Sequence, residues 1–142
     1  MDNSNIFINI SENSLNISDL YNFCISPEAG AIVCFGGTTR NNFENKSVVS
    51  LEYESYKEYA LQNMKDICDE IISRGALKVA MTHRIGNVPV GETSVFCIVS
   101  TGHRPEGFEL CRYAIDTLKQ KVTIWKKEIY TDSNYTWKEN VN

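Results

Sequence analysis

The chain has 142 residues, with 14 basic and 18 acidic side chains and a formal net charge of −4. This length predicts one domain with an ordinary hydrophobic core. A composition of 42% hydrophobic and 23% charged residues excludes wholesale disorder, and the negative charge argues against a non-specific binder of nucleic acid or membrane surfaces. No run of about 20 apolar residues is present to span a membrane. The N-terminus resembles neither a secretory signal nor a transit peptide, so we expect a cytoplasmic protein.

The first 25 residues are rich in Asn, Ser and acidic side chains, and we interpret 1–25 as a variable polar segment that precedes a domain over 26–142. One apolar run within it, Ile6 to Ile10, is typical of a short strand. The later run AGAIVCFGG predicts a buried strand that ends in a glycine pair. A polar connection, TTRNNFENKS, leads to SVVSLEYES, which alternates as a second strand does.

The second half of the chain predicts two helices and three strands. Apolar residues recur at helical spacing from Tyr56 to Arg74, and Gly75 suits a C-terminal cap. LKVAMTHRIG and TSVFCIVSTG predict strands separated by a turn at NVPVG. Pro105 then suits the first turn of a second helix that reaches about Lys121. VTIWKKEIY predicts the last strand, before an irregular tail. The fold class is therefore α+β, a mostly antiparallel sheet with two main helices packed on it.

The cysteines and histidines indicate no metal site. The five cysteines show no C-x-x-C spacing, and we expect them to be small buried hydrophobic residues; they are Cys24, Cys34, Cys68, Cys97 and Cys111. With only two histidines, no Cys/His set has zinc spacing. The usual signatures of hydrolases, kinases and dehydrogenases are also absent, so we expect neither a metal nor a cofactor.

Three basic segments remain as candidates for a binding site. Gly36 to Arg40 ends a strand, Thr101 to Pro105 begins the second helix, and Lys119 to Glu128 links that helix to the last strand. Helix N-terminal N–H groups and arginine forks suit anions. Each segment also has a plainer explanation, since lysines near a helix C-terminus complement its dipole. Together the segments indicate a pocket for a small polar anion, and the residues alone name no reaction.

Read as whole segments, the sequence resembles a known family. The segments are SPEAGAIVCFGGTTRNNFENKSVVSLEYESY, VAMTHRIGNVPVGETSVFCIVSTGHRPEGFELCRYAIDTLKQKVTIWKKEIY and TWKEN, running from about Ser26 to Asn140. They carry the motifs G-x-x-x-R-N, H-R-x-G, a second H-R before a helix, and L-K-x(5)-W-K-K-E. In this order they resemble the MoaE family, the large catalytic subunits of molybdopterin synthase. The resemblance implies that family's α/β hammerhead fold.

The resemblance also implies a reaction and partners. Such a subunit transfers sulfur from the thiocarboxylated C-terminus of a small ubiquitin-like subunit to cyclic pyranopterin monophosphate, and so forms the dithiolene of molybdopterin. It works as a homodimer within a heterotetramer and needs no metal. Matched residue by residue, Lys119 and Lys126 are the catalytic groups. The implied substrate contacts are Phe35, Thr39, Arg40, His103, Arg104, Lys119, Lys126, Lys127 and Glu128.

Two expectations about the site follow from physical argument. Neighbouring cations should lower the pKa of Lys119 and make its amine available for proton transfer or covalent attack. From Pro105 to Lys119 is about 21 Å along a continuous helix, so we predict that His103 and Arg104 serve the pocket of a two-fold-related copy. Two other functions stay open on the sequence: a non-catalytic adapter that docks a ubiquitin-like partner, and a small anion- or nucleotide-binding module.

Overall fold

The structure, a computed structural model, describes residues 5–131 together with the backbone of residues 135–139. The described part forms three helices, α1 (Ile17–Cys24), α2 (Lys57–Ser73) and α3 (Arg104–Lys121). Its strands are β1 (Ile6–Ser11), β2 (Ala31–Thr38), β3 (Asn42–Phe43), β4 (Lys46–Ser55), β5 (Lys78–Arg84), β6 (Gly86–Pro89), β7 (Thr93–Thr101), β8 (Ile124–Tyr130) and β9 (Tyr135–Glu139).

The first sheet has the strand order β1-β5-β7-β2 and is covered by helices on both faces. β1 pairs with β5 in parallel, and the other two pairings are antiparallel. Side chains of β5 alternate between the faces: Val79 and Met81 join the core that contains α2 and α3, whereas Ala80 packs with Leu20 and Cys24 of α1. Burial on both faces explains why β7 contains the continuous apolar run Val95 to Val99.

Helix α3 connects the first sheet to the second. Pro105 lies in its first turn, where a proline costs no intrahelical hydrogen bond. Gly107 lets the helix approach β2, since an added Cβ would lie 2.9 Å from Val33 Cγ2 and 3.0 Å from Thr101 Oγ1. Leu118 and Val122, both buried, anchor the C-terminal end of α3 and fix the position of Lys119 between them.

The second sheet has β4 at its centre, hydrogen-bonded to β3, β6 and β8, with β9 beyond β8. A two-residue turn joins β3 to β4, and both of its residues, Glu44 and Asn45, have positive φ. This is the geometry of a type I′ hairpin, which the asparagine favours. The hairpin places β3 on the opposite side of β4 from β8.

The predicted α+β class is confirmed, and so are the two main helices within one residue at each end. Four elements differ from the predictions, and the first is β3, which lies in the stretch that was expected to be a polar connection. Helix α1 is a third helix, begun by Asn16, whose side chain accepts hydrogen bonds from the Ser18 and Asp19 N–H groups. NVPVG is not only a turn, because β6 pairs with β4 there, and the expected irregular tail contains β9. β6 is formed by pairing with a distant part of the chain, whereas β9 pairs with β8, the strand that precedes it.

The polar N-terminal segment contributes to the same core as the rest of the chain. Ile6, Ile8 and Ile10 of β1 are buried against α2, and α1 covers the opposite face of the sheet. The domain boundary at residues 25/26 stays a prediction. Within the described residues, no helix combines the length and apolarity that crossing a bilayer requires.

The cysteine prediction is confirmed for four positions and wrong for one. Cys24, Cys68, Cys97 and Cys111 are free and buried. Cys34 is free and exposed, because β2 is the edge strand of the first sheet and α1 lies mainly over β5 and β7. Among the described residues, no group of three or more Cys, His, Asp or Glu side chains is arranged to hold a metal ion.

Candidate active site

A pocket of about 330 Å³ lies where the end of β2, the β3–β4 hairpin, β8 and the C-terminal end of α3 meet. We call it the central pocket. It brings together five of the predicted site residues, Phe35, Arg40, Lys119, Lys126 and Glu128. The other residues that line it are Gly36, Gly37, Thr38, Asn42, Phe43, Val48, Leu51, Tyr53 and Ser94.

Two lysines form the cationic wall of the central pocket. Lys119 comes from the last turn of α3, and Lys126 comes from β8, where its side chain is almost fully buried. Burial lowers the pKa of Lys119 from 10.5 to about 8, helped by the positive charge of Lys126 and opposed by Cys97. The predicted direction is confirmed, although desolvation is the larger cause and the neighbouring cation the second. Lys119 therefore has a larger neutral fraction near pH 7 than an ordinary lysine, although most of it is still protonated.

The alternation of β8 divides its charged residues between two faces. Lys126 and Glu128 are buried and face the central pocket, with Glu128 only 1% exposed. Lys127, between them, points to the other face, where its Nζ lies 3.2 Å from Glu52 Oε2. The pocket thus contains one carboxylate beside its cations. Trp125 lies on the same face as Lys127, with its ring edge-on to Tyr56, so the fold directs two of the four W-K-K-E residues away from the site.

The end of β2 supplies the opposite wall. Phe35 is partly exposed along the pocket, and Gly36 and Gly37 keep the backbone close, since an added Cβ would lie 3.0 Å and 2.7 Å from Phe96 and Val95 atoms respectively. Arg40 follows the strand and is exposed at the pocket. Thr39, by contrast, is buried and does not line the pocket, and its Oγ1 has no hydrogen-bond partner among the described residues.

His103 and Arg104 lie in a different place. They line a shallow pocket at the N-terminus of α3, together with Gly30, Gly102, Pro105 and Glu106. The Thr101 hydroxyl donates to the His103 carbonyl at 2.6 Å and fixes this entry to the helix. Within one chain, the structure does not bring His103 and Arg104 together with Lys119, as the length of the helix requires.

The floor of the central pocket contains polar residues that the sequence analysis did not single out. The Tyr53 hydroxyl donates to Ser94 Oγ at 3.3 Å, and Ser94 Oγ donates to the Gly37 carbonyl, also at 3.3 Å. Burial, and then the charge of Glu128, raise the pKa of Tyr53, so its hydroxyl stays protonated. The period-two pattern of β4 indicated that Tyr53 is an inward residue, but nothing in the sequence indicated its partners.

His83 packs beneath this floor, with its ring edge-on to Tyr53 at 4.9 Å between centroids. It is fully buried, and its pKa falls from 6.5 to about 4, mainly because of desolvation. Nδ1 lies 2.7 Å from the Arg84 carbonyl oxygen, which can only accept, so the neutral imidazole carries its proton on Nδ1. The H-R-x-G motif was the sequence signal for this residue.

Comparison with known proteins gives concordant results. The family model for the MoaE protein matches residues 10–121. The chain is 47% identical over 141 residues to the molybdopterin synthase catalytic subunit of Dictyostelium discoideum, covering 96% of this chain and 89% of the relative. It is 49% identical over 134 residues to that of Homo sapiens, covering 94% and 71%.

Solved structures give the same relationship. The crystal structure of molybdopterin synthase from Staphylococcus aureus superimposes with a TM-score of 0.86 at 32% identity, covering 91% of this chain and 94% of that one. The molybdopterin biosynthesis MoaE protein from Burkholderia ambifaria superimposes with a TM-score of 0.77 at 26% identity, covering 96% and 91%. A complex of subunits 1 and 2 of molybdopterin-converting factor from Helicobacter pylori shares the fold, with a TM-score of 0.76 at 20% identity.

Proposed function

The chain belongs to the MoaE family, and from this premise we propose that it is the sulfur-transferring subunit of a molybdopterin synthase. The substrate is cyclic pyranopterin monophosphate, and the sulfur comes from the thiocarboxylated tail of a small ubiquitin-like subunit. The observation that carries this proposal is the central pocket, in which two lysines, an arginine and a buried carboxylate meet. Such a set suits an anionic substrate whose reaction requires proton transfer.

The chemistry assigns a task to each wall of the pocket. The thiocarboxylate sulfur forms a bond to a substrate carbon, and a substrate oxygen leaves as water. Water then cleaves the resulting thioester, so the tail leaves as an ordinary carboxylate and the sulfur stays on the substrate. Two such transfers supply both sulfurs. Lys126 and Arg40 balance the negative charges of phosphate and thiocarboxylate, and Lys119, with its lowered pKa, accepts and returns protons.

His103 and Arg104 enter the proposal through a second copy of the chain. They are too far along α3 to reach the central pocket of their own chain, yet an arginine at a helix N-terminus suits a phosphate. We assign them to the pocket of a two-fold-related neighbour, so the active unit is a homodimer with a small subunit on each protomer. Hybrid dimers of an Arg104→Ala chain with a Lys119→Ala chain should regain one working site in two. No recovery in verified hybrids would contradict site sharing.

One assay tests the function as a whole. The protein is mixed with thiocarboxylated partner and cyclic pyranopterin monophosphate, and the dithiolene product is measured. Lys119→Ala should lower the rate at least about 100-fold, the contribution typical of a general acid–base group. Lys121→Ala removes an exposed lysine from the same helix turn and should leave the rate unchanged.

The outcomes separate the alternatives. Binding of the small partner without turnover would indicate an adapter, and neither binding nor turnover would leave a simple anion-binding module. Near-normal product formation by Lys119→Ala would refute the assignment of Lys119.

A further inference from the structure

Arg84 ends β5 and extends its guanidinium to the turn between β6 and β7. Its Nη1 donates to Glu92 Oε1 at 2.6 Å, and the Arg84 side chain is 12% exposed. Among the described residues, the guanidinium donates to the Glu92 carboxylate, and Arg84 Nε is buried without a hydrogen-bond partner. The backbone beside Arg84 is itself fixed, because the Ile85 N–H donates to the Ser11 carbonyl at 2.8 Å. The ion pair therefore attaches the turn between β6 and β7 to the end of strand β5.

The turn that Glu92 belongs to holds the residue before Arg40. The Thr39 N–H donates to the Glu92 carbonyl at 3.1 Å, and the Gly91 N–H donates to the Thr39 carbonyl at 2.9 Å. The turn is closed by a bond from the Glu92 N–H to the Pro89 carbonyl at 3.1 Å, with Gly91 at a φ of +85°. The two hydrogen bonds of Thr39 fix its backbone, although Thr39 does not line the central pocket.

Arg40 depends on this backbone for its position. Its side chain is exposed at the central pocket, and within the described part of the chain it forms no ion pair or side-chain hydrogen bond. The next tie along the chain is the bond from the Val48 N–H to the Asn41 carbonyl at 2.8 Å. Because the Arg40 side chain is attached only through its own backbone, its guanidinium faces the substrate reliably only if that backbone is fixed.

We propose that the Arg84–Glu92 ion pair is a brace that positions Arg40, so that two residues outside the pocket set the affinity for the anionic substrate. The brace acts through the turn to Thr39 and from Thr39 to its neighbour in the chain. Arg84 and Glu92 are positioning residues, since neither lines the central pocket. This inference rests on the proposed function only for the identity of the substrate.

The sign of the effect distinguishes a brace from simple electrostatics. Glu92 carries a negative charge near a site for an anion, so removing that charge without moving anything would strengthen anion binding. Loss of the brace does the opposite, because Arg40 then samples positions that do not face the substrate. Glu92→Gln should therefore raise KM about three- to tenfold and leave kcat within about twofold.

The variants are chosen to keep the fold intact. Glu92→Gln changes a half-exposed side chain, whereas Arg84 is more deeply packed and is changed only to Lys. Asp69→Asn is the matched control, since it also removes one carboxylate from an ion pair, with Lys65 at 2.8 Å on the exposed face of α2. Asp69→Asn should leave KM unchanged.

Two measurements test the route from Glu92 to Arg40. Amide hydrogen exchange at Thr39 and Gly91 should accelerate in Glu92→Gln and stay slow in Asp69→Asn. In an Arg40→Ala background, Glu92→Gln should change KM no further, because the residue it positions is absent. Unchanged exchange at Thr39, a lower KM, or a full KM effect that persists without Arg40 would each overturn the brace. A wild-type protein that yields no dithiolene would overturn the proposed function instead, while exchange at Thr39 would still decide whether the ion pair holds the turn.

Discussion

Sulfur transfer should rise with pH through an inflection near 8, because the Lys119 amine must be neutral to accept a proton. With a pKa of about 8, about 9% of Lys119 is neutral at pH 7, compared with about 0.03% for a lysine at the ordinary value of 10.5. Burial of Lys119 therefore multiplies the reactive form roughly 300-fold at pH 7. The full gain requires both the burial of the amine and its cationic neighbour Lys126.

Lys126→Gln removes the second of these two causes and keeps the first. Because a nearby unit charge at an effective dielectric of about 20 contributes on the order of 1 kcal/mol or more, the pKa of Lys119 should rise by about one unit. The inflection in the pH profile should move up with it. Lys121→Gln is the matched control, since this exposed lysine is on the same helix turn and does not line the central pocket. Its profile should coincide with that of the unaltered protein.

The assay is product formation at substrate concentrations well below saturation, from pH 6 to 9.5, with thiocarboxylated partner in excess. The position of the inflection is the readout, so a lower amplitude caused by loss of a phosphate contact does not confuse it. A parallel NMR titration of isotope-labelled lysine side chains measures the pKa of Lys119 directly. An inflection that is absent between pH 7 and 9, or one that stays in place in Lys126→Gln, would refute this account of the pocket.

Three further predictions follow from the structure. His83 has a pKa of about 4 in the folded chain and 6.5 in the unfolded chain, so the unfolded chain binds an extra proton as the pH falls. The free energy of unfolding should therefore fall by about 3 kcal/mol from pH 6.5 to 4. Denaturant titrations at several pH values should show this dependence, and His83→Gln should remove it. Gly30→Ala should lower stability by about 1–3 kcal/mol in thermal melts, because its Cβ would clash with the Gly102 carbonyl oxygen, while Gly102→Ala, with open space around it, should be nearly neutral. Lys127→Gln should change the rate of sulfur transfer less than about threefold, because its ion pair with Glu52 is on the other face of β8; a loss as large as that of Lys126→Gln would show that this placement is wrong.

The sequence predicted the long helices well because their evidence is local. Apolar residues at helical spacing mark α2, and Pro105 marks the start of α3. Helix α1 has only eight residues, little more than two turns, so its helical pattern is too brief to stand out in the sequence, and Asn16 marks its start as an N-cap. β6 was hard to recognise because its first and last residues are Gly86 and Pro89, and it is a strand because it pairs with β4.

The candidate site was predictable in its residue types but not in its arrangement. The family motifs selected the five residues that meet in the central pocket, whereas Tyr53 and Ser94 join it through contacts between distant strands. The position of Lys127 could have been read from the sequence. Side chains alternate along a strand, so if Lys126 faces the pocket, Lys127 cannot. The W-K-K-E motif places Lys126 and Lys127 next to each other in the sequence, whereas β8 directs their side chains to opposite faces.

The pKa of Lys119 also orders the steps of the proposed reaction. Its value of about 8 belongs to a pocket without substrate, where Lys119 and Lys126 repel each other. The bound cyclic phosphate and the thiocarboxylate each bring one negative charge, which offsets the positive charge of Lys126 and raises the pKa of Lys119 again. The inflection near 8 should therefore appear in kcat/KM, which reports the free enzyme, and shift upward in kcat, which reports the complex. The neutral fraction of Lys119 that accepts a proton therefore holds it more tightly in the complex, and Lys119 is suited to return that proton to the oxygen that leaves as water.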